Sequence, residues 1–242
     1  MRTLPVARRP RLTLRARDYA YALRLLARGR TYASAAASLR GPREEKPSVV
    51  LVPGVHEHWT FMRPLADLLH TNGYDVHAVE TLRYNTGSID EMAELVGAHL
   101  VAEEVDRCVL VAHSKGGLIG KRLLLDHPPD VSILGLVAIN TPFSGSSLAR
   151  LVPLSTLRIF RPDSRELAEL AAATDVNRSI VSIFGSFDPH IPGGSSLEGA
   201  RNVQLETRGH FLPLGDPLVH AAVLEAVESF AADAPPPEPY PS

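Results

Sequence analysis

The sequence predicts a single α/β domain, with a mostly parallel sheet of about six core strands and helices on both faces. From Ser48 onward, short runs rich in β-branched residues alternate with longer stretches of helical pattern, which is typical of βα units. Most of the short runs are apolar throughout, as expected for strands that helices cover on both faces. The chain has 242 residues, of which 45% are hydrophobic, so it can bury one sizeable core.

Six short runs are the predicted strands, and four longer stretches are the predicted helices. The strands are Val49–Val52, Val76–Glu80, Cys108–His113, Ile133–Ile139, Ile180–Phe184 and Val203–Glu206. The helices are Phe61–Leu69, a stretch that begins at Ser88, Lys115–Leu125, and a final helix after Asp216. Ser88 and Glu91 have the spacing of a capping box. Asp216 followed by Pro217 is a helix-start signal.

An arginine-rich arm precedes this domain. Residues 1–43 contain 11 arginines and one acid, Asp18, which gives the arm a net charge of +10 and leaves −12 for the other residues. The sequence therefore divides into the arm with its linker (residues 1–47), the α/β domain (48–232) and a proline-rich tail (233–242) that we expect to be disordered. Within the arm, the stretch from Leu12 to Leu39 has helical spacing.

The basic arm fits more than one role. We favour a helix that packs one apolar side on the domain. Contact with an anionic membrane surface, with nucleic acid or with the acidic body are alternatives, as is a transit peptide. We expect no nucleic-acid partner, and peripheral membrane contact through residues 1–43 stays open.

The cysteine content and the hydropathy pattern bear on location. Cys108 is the single cysteine, so an internal disulfide is excluded and a reducing compartment is indicated. No run approaches the roughly 18 apolar residues of a membrane span. Arginines interrupt each apolar stretch near the start that a secretory signal would need. We therefore expect a cytoplasmic protein.

Ser114 is the candidate nucleophile. It lies where the apolar run that ends at His113 meets the predicted helix that begins at Lys115. A sharp strand-to-helix turn of the G-x-S-x-G type strains the serine backbone and lifts the hydroxyl above the sheet edge, and it requires small residues two positions away on either side. Ala112 and Gly116 meet that requirement. The alternative is an ordinary helix-capping serine.

An acid and a base follow two later strands. A serine hydroxyl needs a histidine to accept its proton and an acid to orient that histidine. Asp188 follows the predicted strand Ile180–Phe184, and His210 follows Val203–Glu206. The rival histidines are His190, in a loop rich in proline and glycine, and His220, inside the last helix. The rival acids are Asp163, Asp175 and Asp216.

Two backbone N–H groups are the expected oxyanion donors. Such donors stabilise the charge that develops on the carbonyl oxygen. One belongs to Lys115, the residue after the nucleophile, and the other to Val55, after Pro53 and Gly54 in the loop that follows the first strand. The glycine lets the backbone approach the substrate.

These motifs resemble the α/β-hydrolase superfamily, and in particular its small bacterial lipase and esterase branch, over residues 48–230. The Ala-His-Ser-Lys-Gly-Gly turn at residues 112–117 resembles the lipase nucleophile elbow, and residues 140–145 resemble the lipase Thr-Pro-His-x-Gly element with Phe143 in place of histidine. The resemblance implies a cofactor-free serine hydrolase that acts on carboxylic esters, small or lipid, without a metal. Ser114, Asp188 and His210 would be its triad, in the chain order of the family.

Substrate preference is less constrained. Trp59, Phe143, Phe187 and Phe211 are candidates to line an apolar acyl pocket, although core packing explains them equally well. Residues 144–177 form either a lid or a plain surface connection. The positive charge of Lys115 suggests a preference for anionic esters, and His56 with His58 is too small a set to indicate a metal.

Two other functions remain open. The first is acyl transfer, or thioester hydrolysis, by the same triad. The second is a catalytically inactive binding module on a hydrolase-like scaffold.

Overall fold

The computed structural model describes residues 11–32, 36, 39–41, 46–150 and 154–233. The helices are α1 (Arg11–Tyr32), α2 (Arg63–Thr71), α3 (Ile89–Ala102), α4 (Lys115–Leu125), α5 (Arg165–Ala172) and α6 (Pro217–Ala232). The strands are β1 (Ser48–Val52), β2 (Val76–Ala78), β3 (Arg107–His113), β4 (Ser132–Ile139), β5 (Ile180–Phe187) and β6 (Arg201–Arg208). The predicted disordered tail lies, from residue 234 onward, outside the described residues.

The six strands form one sheet in the order β2-β1-β3-β4-β5-β6, and every neighbouring pair is parallel. The predicted α/β fold with six core strands is therefore confirmed. The carboxyl ends of parallel strands lie at one edge of a sheet, and loops at that edge can bring distant residues together.

Hydrophobic cores cover both faces of the sheet. In β1, Val49 and Leu51 pack into one core with α2 and α6, whereas Val50 and Val52 pack into the other with α3 and α4. Successive side chains of a strand point to opposite faces, so a strand buried on both faces is apolar at every position. This arrangement explains the continuous apolar runs in the sequence.

The helix starts follow local signals. Ser88 caps α3 with the reciprocal hydrogen bonds of a capping box, and the Asp216 carboxylate accepts the Leu218 N–H at the start of α6. Helix α2 begins two residues later than predicted, because residues Trp59–Met62 form a 3₁₀ turn and Pro64 occupies the first turn of the helix. Proline lacks an N–H and is tolerated there.

Helix α1 packs on the domain. Its Ala22 and Leu25 belong to the same core as α2 and α6, and the Asp18 side chain between it and the domain is completely buried. Tyr19, Leu23 and Leu26 are exposed. Within the described parts of the chain, no helix is both long and apolar enough to cross a membrane.

Candidate active site

Ser114 occupies a strained turn between β3 and α4. Its backbone has φ 52° and ψ −120°, a region that residues with a side chain rarely adopt. The turn is tight because Gly116 lies against the backbone of Val52 and Pro53, where a Cβ would collide. The Ser114 N–H donates to the carbonyl oxygen of Ile139 at the end of β4 (2.9 Å). This geometry fits a nucleophile elbow.

A chain of hydrogen bonds joins Ser114 to His210 and Asp188. The Ser114 Oγ lies 3.0 Å from the His210 Nε2, and the His210 Nδ1 lies 2.7 Å from the Asp188 Oδ2. The other carboxylate oxygen of Asp188 accepts the N–H groups of His190 (2.7 Å) and Ile191 (3.3 Å). The three residues follow β3, β5 and β6, so the sheet edge brings them together over long sequence distances.

Charge and burial oppose each other at His210. Burial of the ring favours the neutral imidazole, but the nearby Asp188 carboxylate, by its charge and its hydrogen bond, raises the pKa of His210 above its ordinary value. Burial also works against the Asp188 carboxylate, and the same contact with His210 keeps the pKa of Asp188 below its ordinary value. The pair is therefore built to carry an imidazolium next to a carboxylate.

His190 reaches the site as a neighbour of His210. The two rings stack with centroids 4.5 Å apart and an interplanar angle of 5°. Burial, together with the charge of His210, lowers the pKa of His190 to about 3, so its ring is neutral near pH 7. Within the described residues its Nε2 has no hydrogen-bond partner.

The other rivals lie elsewhere. The His220 Nε2 donates to the carbonyl oxygen of Leu214, and Asp216 caps α6. Asp163 is exposed and pairs with Arg150 at 3.6 Å. Asp175 is exposed at the start of a 3₁₀ turn before β5.

The expected oxyanion donors belong to the residue after Ser114 and to a residue that lines the same cavity as Ser114. Lys115 is the first residue of α4, where an N–H has no partner within the helix. Val55 lines the same cavity as Ser114. The loop before it is fixed, because the Gly54 N–H donates to the Glu57 carboxylate (2.9 Å) and the Asn85 amide donates to the Pro53 carbonyl oxygen (2.6 Å).

The Lys115 side chain points away from the cavity. It is 1% exposed, and its Nζ donates to the backbone and side-chain oxygens of Asn85, both at 3.0 Å, and to the Gly87 carbonyl oxygen at 2.5 Å. Burial lowers the pKa of Lys115 to about 8. The Lys115 ammonium therefore does not face the cavity, which removes the basis for the expected preference for anionic esters.

A second layer of polar residues supports the loop that carries His210. The His113 Nδ1 lies 2.8 Å from the Glu57 carboxylate, and the His113 Nε2 lies 3.0 Å from the His210 carbonyl oxygen. The Asn140 amide also donates to that carbonyl oxygen (3.1 Å). The sequence interpretation assigned no role to Glu57, His113 or Asn140, although His113 and Asn140 lie within motifs that it identified and Glu57 lies two residues after Val55.

Glu57, His113 and His210 also bring ligand atoms within 4.8 Å of one another. Both ring nitrogens of His113 face oxygen acceptors and those of His210 face Ser114 and Asp188. These hydrogen bonds occupy the positions that a metal would need. His56 and His58 bond to Thr156 and Thr60.

A largely apolar cavity of about 650 Å³ opens above Ser114 and His210. Residues from 142–160 form much of its wall: Pro142, Ser146, Leu148, Ala149, Leu154, Leu157 and Phe160. Helix α1 contributes Arg15 and Tyr19, and the loop after β5 contributes His190 and Ile191.

The four aromatic residues predicted to line the acyl pocket lie in different parts of the structure. Phe211 lines the cavity. Trp59 and Phe143 are instead buried in the two cores, and Phe187 lies under the Arg208 guanidinium, 5.5 Å from its ring centroid. The structure thus brings only one of these four side chains to the cavity.

Comparisons with known proteins identify the fold. No protein-family model and no curated protein sequence matches the chain. Several solved structures, in contrast, match the fold of this chain. A mature lipase of Bacillus licheniformis matches with a TM-score of 0.60 at 17% identity, covering 77% of this chain and 94% of that one.

Two further structures agree. A monoacylglycerol lipase of Paleococcus ferrophilus matches with a TM-score of 0.57 at 19% identity, over 76% of this chain and 96% of that one. An α/β-hydrolase fold protein of Burkholderia ambifaria matches with a TM-score of 0.54 at 18% identity, over 75% and 91% of the two chains. The chain therefore has the α/β-hydrolase fold.

Proposed function

We propose that the protein is a serine hydrolase that cleaves carboxylic esters through an acyl-enzyme intermediate. The observation that carries the proposal is the continuous hydrogen-bonded path from Ser114 through His210 to Asp188, at the floor of an apolar cavity. A strained serine in this environment has a base in reach and an acid that fixes the base.

The acylation step uses each of these groups once. His210 accepts the Ser114 hydroxyl proton at Nε2 while Oγ bonds to the ester carbonyl carbon. The carbonyl oxygen becomes an oxyanion, which the N–H groups of Val55 and Lys115 stabilise. The C–O bond to the alcohol then breaks, and His210 gives its proton to the departing alkoxide. The products are an acyl-Ser114 and a free alcohol.

Deacylation repeats the chemistry with water. His210 removes a proton from water as the water oxygen bonds to the acyl carbon, and it returns the proton to Oγ as the acid leaves. The acyl chain lies in the cavity, because most of the cavity surface is apolar and leucine, isoleucine and phenylalanine side chains contribute to it. The substrate is thus an ester with an apolar acyl group.

A fluorophosphonate probe tests the nucleophile. Wild-type protein should be labelled, and Ser114→Ala should not. Ser229→Ala removes an exposed serine on α6 and is the matched control, which should be labelled like wild type. Peptide mass mapping should place the adduct on Ser114 rather than on Ser146, which also lines the cavity. Equal labelling of wild type and Ser114→Ala would overturn the proposal.

A series of nitrophenyl esters of graded acyl length tests the substrate class. Rates should rise with acyl length until the chain fills the cavity and then fall. Adding competing alcohols or thiols separates hydrolysis from acyl transfer, because a transferase would form the new ester or thioester as the major product.

We also propose that the exposed face of α1 contacts anionic lipid. Tyr19, Leu23 and Leu26 are exposed there, the arginines of α1 supply positive charge, and Tyr19 lines the cavity mouth. Sedimentation with phosphatidylglycerol vesicles should show salt-sensitive binding, which the double variant Leu23→Glu with Leu26→Glu abolishes. Equal binding to phosphatidylcholine vesicles, or no binding, would contradict it.

A further inference from the structure

The acid of the basic arm contacts the backbone that carries His210. Asp18 lies on α1, 192 residues from His210 in sequence, and its side chain is completely buried. It is the one acid among residues 1–43. A buried carboxylate requires several hydrogen bonds to offset the loss of solvent.

Three consecutive backbone N–H groups supply those hydrogen bonds. The Asp18 Oδ2 accepts from His210, and its Oδ1 accepts from Phe211 and Leu212, all at 2.9 Å. These residues lead from His210 into the 3₁₀ turn Leu212–Gly215. The carboxylate thus fixes the backbone on which the His210 side chain stands.

The loop has the shape needed to receive α1. Gly209 has φ +116°, and a Cβ at that position would lie 2.6 Å from the Asp18 Oδ1. A Cβ at Gly215 would likewise collide with the Tyr21 hydroxyl of α1. Glycine at both positions therefore leaves room for α1, and at Gly209 it also permits the positive φ.

Both backbone polar groups of His210 are hydrogen-bonded to side chains. The His210 carbonyl oxygen accepts from Asn140 and His113, and its N–H donates to Asp18. Asp18 is the only one of these anchors that comes from outside the sheet and its loops. Helix α1 also contributes Arg15 and Tyr19 to the cavity wall, and the Tyr19 ring lies 5.4 Å from that of His190.

We propose that Asp18 is a positioning residue, through which α1 holds His210 in register with Ser114 and Asp188. Its consequence for catalysis rests on the proposed function, whereas the contact itself does not. Helix α1 is then a component of the active site, because the triad histidine depends on its Asp18 for its backbone position. Correct orientation of a general base contributes strongly to rate.

The test uses full-length protein carrying Asp18→Asn, which keeps the size of the side chain but removes its charge and leaves one acceptor oxygen. The kcat for a nitrophenyl ester should fall at least tenfold while KM changes less than threefold, because the substrate still meets the same cavity. Asp130→Asn, which removes an exposed carboxylate, is the control and should retain the wild-type kcat. An unchanged kcat in Asp18→Asn would overturn the proposal.

A second readout does not require hydrolysis. The His210 ring can be titrated by NMR, with its signal assigned through His210→Gln. Removing the negative charge of Asp18 should lower the measured pKa of His210. The ring also faces charged or titratable groups of other elements, which the variant leaves in place: Asp188, His190, Glu57 and His113. Arg15 acts through its charge on the neighbouring His190. An unchanged pKa would show that Asp18 is a remote structural group.

Hydrogen exchange on wild-type protein covers the case in which Asp18→Asn does not fold. The amides of His210, Phe211 and Leu212 should be protected although they lie outside α-helices and strands, and fast exchange there would overturn the proposal. The two proposals can fail separately. If the fluorophosphonate does not label wild type, the proposed function fails. The Asp18 contact still stands in that case if these amides are protected and Asp18→Asn lowers the pKa of His210.

Discussion

The Nδ1 atom of His210 lies 2.7 Å from Oδ2 of Asp188, and less than a tenth of the surface of each side chain is exposed. An imidazolium that forms during acylation would meet this carboxylate without intervening water. The carboxylate also fixes the tautomer in which Nε2 is free to accept the Ser114 proton. Orientation and charge stabilisation therefore come from the same contact.

Asp188→Asn should lower kcat about 10⁴-fold, because an amide can hold the ring in the wrong tautomer. The measurement is kcat/KM for a short nitrophenyl ester together with the rate of fluorophosphonate labelling. Asp163→Asn, which removes the exposed rival acid, is the matched control and should retain wild-type activity. A loss of activity in both variants, or in Asp163→Asn alone, would contradict the assignment of the acid.

The pH dependence of kcat/KM should reflect the protonation of His210. Because Asp188 raises the pKa of His210 and only the neutral ring accepts a proton, kcat/KM should fall on the acid side with a midpoint above about 6.5, the ordinary imidazole value. The raised pKa stabilises the fold at low pH, and that contribution is lost as the pH rises through the folded-state pKa. Protonation of His210 thus does not unfold the protein on the acid limb.

A neutral ester and a thermal unfolding curve at each pH separate chemistry from denaturation. The profile should show one acid limb between about pH 5 and 9 while the protein stays folded. A midpoint below about 6.5 in folded protein would contradict the assignment of His210 as the base.

Lys115→Met should leave the preference between neutral and anionic esters unchanged, because the ammonium group is buried and turned toward Asn85 and Gly87. The variant should instead lose stability, by about 2 kcal/mol, since buried carbonyl oxygens lose their donor. Relative kcat/KM on the two ester types and urea unfolding measure the two effects. A changed preference with unchanged stability would show that the charge reaches the substrate.

Glu57→Gln should disturb the layer beneath the triad. The Glu57 carboxylate bonds both the Gly54 N–H and His113, and breaking a buried pair of this kind costs about 3 kcal/mol. Both the oxyanion loop and the His210 carbonyl contact depend on it, so kcat should fall as well. Glu94→Gln on the solvent side of α3 is the control. Equal unfolding free energies for wild type and Glu57→Gln would contradict a supporting role.

Local sequence signals predicted the sheet and the tight turn at Ser114. Each of the six predicted runs overlaps a strand, and most of them are apolar because parallel strands covered on both faces need apolar residues throughout; β6 alternates and is largely exposed. Helix α4 spans Lys115–Leu125 as predicted. Strand ends also indicated the neighbourhood of Asp188 and His210. These features depend on residues close in sequence or on the general geometry of a parallel sheet.

Side-chain direction and long-range packing were not predictable in the same way. Nothing local shows that the Lys115 side chain turns inward, or that Phe143 packs in the core instead of the cavity. Asp18 is separated from its partners by nearly the whole chain. The one available signal was its isolation, because an acid in an otherwise basic and acid-free segment needs a specific reason to be there.

Gly209→Ala should reveal how tightly α1 is seated on the triad loop. The new Cβ would meet the Asp18 carboxylate, and φ +116° is strained for any residue with a side chain. The loop would have to move together with His210, so kcat should fall at least tenfold, with a loss of unfolding free energy of about 1–3 kcal/mol. Gly193→Ala, in the loop after β5, is the matched control, because nothing lies within 4 Å of the position that its methyl group would take. That variant should keep the activity and stability of wild type. If Gly209→Ala behaves like Gly193→Ala, the close approach of Asp18 to the loop is not present in solution, since a carboxylate at that distance leaves no room for a methyl group.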